Sequence, residues 1–208
     1  MSILVLTSDT LIATAAAGNI EYSSPIFTGT PVGTQRGIVP TQQYYRLDAA
    51  YAGSNVATAQ SVFGVGVTLS ASTVYEFEIC AVFSKTAGTT SHNFQFNFGG
   101  TATVNNILYN GFAEYAAGAI PIPNATSIYG YISNAVTANT AINGLTVASI
   151  THGHVIKGTV SINAGGTFIP QYTLSAAPGG AYSTQIGSYI RINPLSASGA
   201  ATNVGTWS

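Results

Sequence analysis

An all-β fold, an antiparallel β-sandwich of jelly-roll type with an extended N-terminal arm, is predicted by three features of this chain. Helical amphipathic periodicity is nearly absent, and short runs rich in Val, Ile, Thr, Tyr and Phe recur between clusters of Gly, Pro, Asn and Ser. Several of these runs alternate with a period of two, the mark of strands with one buried face. Gly99-Gly100, Asn143-Gly144, Gly165-Gly166 and Pro178-Gly179-Gly180 supply the tight turns that such strands need. Hydrophobic residues make up 46% of the 208, enough for the core of one sandwich.

Taken in order, residues 1–45 contain Pro25, Pro31 and Pro40 and read as an arm with little regular pairing. Within it, Ser2 to Leu6 and Leu11 to Ala17 are apolar, separated by a segment containing Asp9. No positive charge precedes them, so an ordered arm or first strand is expected rather than a leader.

The head is expected over 46–208. Ser61 to Ser70 places Phe63, Val65, Val67 and Leu69 on one face. Thr73 to Ser84 places Tyr75, Phe77, Ile79, Ala81 and Phe83 on one face, with Glu76, Glu78 and Cys80 opposite. In His92 to Phe98, three phenylalanines alternate with Asn93, Gln95 and Asn97, giving an amide-rich outer surface. Weaker strands are expected at Ser127–Ser133, Val155–Asn163, Thr167–Ser175 and Ser188–Pro194. The total of roughly eight to ten strands suits two sheets. The segment 116–150, dominated by Ala, Asn and Thr, is expected to be an exposed insertion.

Charge is scarce. Five cations (Arg36, Arg46, Lys85, Lys157 and Arg191) and six acids leave a net charge of −1. Charged residues are 5% of the chain, against about 25% in ordinary soluble domains. Scattered cations give no pull towards nucleic acid or anionic lipid. No apolar run approaches the roughly 20 residues of a membrane helix. Cys80 stands alone in an apolar strand pattern, so neither a disulfide framework nor a cysteine metal cluster is expected. Such a surface suits a protein covered by copies of itself or fixed in a larger assembly.

Candidate chemistry is correspondingly thin. Glu76 and Glu78 project from the same strand face, whereas glycosidases set their two acids across a cleft. In Thr151-His152-Gly153-His154 the two imidazoles point to one side, shared by Ile156, Val160 and Ile162. They could join a metal site built around a threefold axis. Hydrogen-bonded histidines at the rim of an apolar face fit the pattern better. No G-x-S-x-G elbow is present, and Gly64-Val65-Gly66 has no following lysine to make a phosphate loop. Neither an enzyme nor a cofactor is expected. Tyr129 and Tyr131, in the insertion, are the candidate contacts for a receptor or glycan.

A family resemblance rests on particular stretches. Asn19-Ile20-Glu21-Tyr22, Arg36-Gly37-Ile38-Val39-Pro40 and Gln42-Gln43-Tyr44-Tyr45-Arg46-Leu47 open it. It continues through Gly53 to Val67, Lys85 to His92, Phe98 to Thr103, Gly166 to Ser175, Gly187 to Ile192 and Gly205-Thr206-Trp207, with a gap at 104–150. These resemble virion structural proteins of tailed bacteriophages, although Ser23-Ser24 stands where that family often has Asp-Gly. The resemblance implies a trimeric β-sandwich head held by a short N-terminal segment. On that basis Ile3, Leu4, Val5, Leu6, Leu11 and Ile12 are the expected virion anchor. The expected role is a homotrimeric capsid decoration or cement protein, assembled in the bacterial cytoplasm, with the major capsid protein or other virion proteins as partners. The alternative is a tail or head fibre tip that binds a host surface glycan.

Overall fold

The computed structural model describes residues 6–12, 14–117, 127–199, 201 and 203–205. Among them the regular structure is entirely β. In chain order the strands are β1 (Ile20–Ser23), β2 (Ile26–Val32), β3 (Gln35–Val39), β4 (Gln43–Arg46), β5 (Tyr51–Ala52), β6 (Gln60–Ser61), β7 (Val67–Leu69) and β8 (Thr73–Lys85). There follow β9 (His92–Gly99), β10 (Thr103–Ala117), β11 (Ser127–Ser133), β12 (Asn139–Leu145), β13 (Ile150–Ala164), β14 (Gly166–Leu174), β15 (Ser183–Thr184) and β16 (Tyr189–Ala197).

Two antiparallel sheets make a sandwich. The larger runs β11-β10-β13-β8, beyond which β16 and β15 pair with successive parts of β8 and carry β4 and β5 on their outer sides. The smaller runs β12-β9-β14, with β6 and β7 on the far side of β14. The alternation in β8 and β9 has its expected result: Tyr75, Phe77, Ile79, Ala81 and Phe83 face Phe94, Phe96 and Phe98 across the buried core. Ring contacts tie the layers together, Phe77 to Phe98 at 5.2 Å and Phe83 to Phe94 at 4.9 Å between centroids. Each such buried side chain contributes about 1.5–3 kcal/mol over its exposed state.

At the end of β8, Lys85 is buried and its ammonium donates to the carbonyls of Ala87, Gly88, Val147 and Ala148. It thereby clamps two loops at one end of the sandwich. Burial lowers its pKa.

Three expectations are corrected by the pairing. The arm is not unpaired: β1, β2 and β3 form a separate antiparallel meander, and Gln43–Arg46 joins the large sheet as β4. Pro25 and Pro40 flank these strands, and Pro31 lies near the end of β2, where the register against β3 shifts. The single strand expected over 61–70 is broken into β6 and β7, because Gly64 turns at φ +74° and Val65 faces solvent. Finally, 116–150 is not an insertion as a whole: β11 extends the large sheet and β12 the small one.

Candidate interaction surface

The outward face of the large sheet is set by register. Glu78 on β8 lies between Lys157 on β13 and Arg191 on β16. Lys157 Nζ and Arg191 Nη2 stand 2.9 Å and 2.8 Å from Glu78 Oε2, and the Tyr189 hydroxyl donates to Oε1 at 2.8 Å. Burial alone would raise the Glu78 carboxyl, but these donors outweigh it and hold the pKa at about 2. A carboxylate locked in this state cannot donate a proton near neutrality, so Glu78 cannot be the general acid of a glycosidase pair. Burial and the Glu78 charge raise the Cys80 thiol, which therefore stays protonated. A cleft of about 580 Å³ lies over this cluster, bounded by Pro40, Gln42, Asn110 and Asn193.

Beside the charged row lies an apolar strip. Phe112 on β10 sits between Gly130 on β11 and Val155 on β13. Leu108, Phe112 and Val155 are exposed by 57%, 57% and 43%, and Ile128 and Ile132 on β11 by 66% and 74%. Five large apolar side chains on one continuous face are a contiguous patch of the kind that marks a contact site. Sequence reading missed it because β10 presents apolar residues on both faces, which erases the period-two signal.

The predicted site residues fall elsewhere. Tyr131 is buried, its ring covering Gly111 and its hydroxyl 3.5 Å from His154 Nδ1, so it is removed from contact with any receptor. Tyr129 is half-buried and stacks on Tyr115 at 6.0 Å. His152 and His154 are not rim residues. They lie at the centre of the core, fully buried, with His152 Nδ1 2.8 Å from His154 Nε2. A site shared between chains about a threefold axis is excluded by that depth. Among the described residues no group of three His, Cys, Asp or Glu is placed to hold a metal. The third histidine, His92, donates from Nδ1 to the Thr90 carbonyl at 2.7 Å, so its Nε2 accepts from the Tyr182 hydroxyl at 2.8 Å. Parity assigned the histidines to the apolar face correctly. Their depth depended on the sheet order, which parity does not give.

Of the expected anchor, Ile3, Leu4 and Val5 lie outside the described residues. Leu6 and Leu11 are half-buried and Ile12 is exposed. The segment is strapped to the meander: the Asp9 amide donates to Tyr22 O, and the Ile12 amide donates to Glu21. Arg36 grips both Glu21 and the Ile12 carbonyl.

This is an antiparallel β-sandwich protein with a small N-terminal meander. No protein-family model and no curated protein matches the chain. Among solved structures it is similar to a chain of the infectious bursal disease virus Gx strain structure. The identity is 7% and the TM-score 0.20, over 83% of this chain and 46% of that one, so the present chain spans less than half of its length. A likeness at that level carries no argument about function.

Proposed function

We propose that this chain is a structural component of a tailed-bacteriophage virion, a capsid decoration or cement protein that acts as a homotrimer and stabilises the major capsid shell. The observation that supports the reading best is the exposed strip of Leu108, Phe112, Ile128, Ile132 and Val155 on a surface with almost no free charge. Such a face gains free energy when covered, at about 25 cal/mol per Å² of apolar area. A lasting interface needs about 800 Å² from each partner, and a patterned sheet face can supply it. The test is the copy number of the chain in purified particles. Hundreds of copies agree with decoration, and absence from the particle overturns a virion role.

A second reading, the fibre tip, draws on a different place. Tyr44 and Tyr45, 54% and 40% exposed, line a cavity of about 200 Å³ with Phe63, Val65 and Ile190. Exposed aromatic faces of this kind stack on sugar rings. A few dozen copies per particle or fewer, with binding of host surface polysaccharide lost in Tyr44→Ala, would favour it.

A further inference from the structure

β11 is an edge strand. It pairs with β10 on one side, and no described strand pairs with the other. Exposed edges are normally guarded by shortness, charge, proline or bulges, because their free amides and carbonyls template further pairing. The other edges here are guarded. β5, β6 and β7 have two or three residues. β4 has four and ends at Arg46, and β12 is interrupted by two register shifts against β9. β11 has none of these devices. It is seven residues long, regular in register, and free of charge and proline.

Its sequence is also a palindrome. Ser127-Ile128-Tyr129-Gly130-Tyr131-Ile132-Ser133 reads the same from either end about Gly130. Two antiparallel copies of such a strand, related by a twofold axis through Gly130, match like with like at every position. The outward backbone has the parity required. The Ile132 carbonyl is turned to the free side, where Asn139 Nδ2 donates to it at 3.3 Å. By alternation Ile128 and Gly130 turn their amides and carbonyls the same way.

We propose that β11 is a twofold seam, along which two copies of this chain join their large sheets edge to edge, Gly130 against Gly130. Ile128 of each copy then faces Ile132 of the other, and about six backbone hydrogen bonds form. The Asn139 side chain yields its place on the Ile132 carbonyl. On the outer face the apolar strips of both copies merge across the seam, from Val155 and Phe112 of one to those of the other. On the inner side the half-buried Tyr129 gains cover. A self-complementary strand selects a second copy over an unrelated partner, because only an identical strand satisfies every pair at once. The seam rests on the proposed function only in that the chain self-associates. It is separate from the homotrimer, since a twofold contact joins chains in pairs.

Two measurements test it, both with Cys80→Ala to leave no other thiol. At the seam the two Gly130 Cα atoms lie about 5.5 Å apart, inside the disulfide range of roughly 4.4–6.8 Å. A Cβ at Gly130 meets only Phe112 ring atoms, at 3.8 Å and 4.0 Å, so Gly130→Cys fits the fold. Mild oxidation should link most Gly130→Cys chains into covalent pairs. Ile132→Cys, whose two copies would lie about 14 Å apart, should stay unlinked; equal linkage of both variants, or of neither, overturns the register. Light scattering on the otherwise unmodified chain and on Ile128→Lys with Ile132→Lys gives the second measurement. Both positions are solvent-exposed, so the double variant folds. Six chains falling to three support the seam and the trimer, whereas two falling to one support the seam and remove the trimer. Three chains unchanged by the lysines overturn the seam and leave the trimer standing, and a monomeric parent overturns both.

Discussion

His152 Nδ1 and His154 Nε2 share one hydrogen bond of 2.8 Å at the centre of the sandwich. His152 stacks on Phe83 and His154 on Phe94, at 5.3 Å and 5.1 Å between ring centroids. Among the described residues no acid faces them, and the neighbouring polar groups are His92, Tyr131, Tyr182 and, further off, Lys85.

Acid should therefore unfold this protein through its core. Burial holds both histidines uncharged, pushing His154 down to about 3 and His152 well below its ordinary value of 6.5. The unfolded chain takes up protons as pH falls below 6.5 and the folded chain does not. Stability is complete above that pH and declines from there towards 3. At pH 5 the loss is about 2 kcal/mol per histidine. The melting temperature at pH 5 should lie about 10 °C below that at pH 7.5. In His152→Gln, which keeps a hydrogen-bonding group beside His154, the drop should be about half as large. An unchanged drop would mean that other groups carry it.

Gly111 should tolerate no side chain. A Cβ there would stand 2.4 Å from Tyr131 Cζ and 2.6 Å from its hydroxyl oxygen. Gly111→Ala should cost about 1–3 kcal/mol by overpacking, read as a lower denaturant midpoint with an unchanged slope. Combining it with Tyr131→Leu, which removes the obstructing ring, should recover part of that loss.

Glu78 should matter for stability mainly above pH 4.5. Its carboxylate is held at about 2 against an ordinary 4.5, so its contribution is complete above 4.5 and fades as pH falls towards 2. Glu78→Gln should lower the melting temperature at pH 7 by about 2–4 °C. The two proteins should converge as the pH approaches 2. A gap that persists at the lowest pH would trace the effect to packing instead.

The N-terminal segment should be dispensable for folding. Leu6 to Ile12 bonds to the meander and not to the sandwich core. Deleting residues 1–12 should leave the melt of the head within a few degrees of the full chain while abolishing attachment to particles. Normal incorporation of the shortened chain into particles would overturn the anchoring role.

The sandwich was legible where one face alone is apolar. β8 and β9 were placed to within a residue because one face of each is apolar and the other carries the polar residues, and β11 was bounded correctly because Tyr129 and Tyr131 recur two apart between flanking serines. β10 was not legible, since Leu108 and Phe112 point outward while Ile107 and Tyr109 point inward. β12 was hidden by small residues and by Gly144, which takes φ +64° inside the strand. The Glu78 cluster escaped for another reason. Its partners stand 79 and 113 residues away in the chain, and only the order β13-β8-β16 brings them to one carboxylate.

All five cations are engaged within the chain: Arg36 with Glu21, Arg46 with Asp48, Lys157 and Arg191 with Glu78, and Lys85 with backbone carbonyls. The consequence concerns crowding. With a net charge of −1 per chain, neighbours set side by side at high density build up almost no mutual repulsion. Screening over a Debye length of about 8–10 Å has correspondingly little left to remove. Close packing of many copies should then be nearly indifferent to ionic strength, and encounter between them should proceed by unsteered collision at ordinary rates.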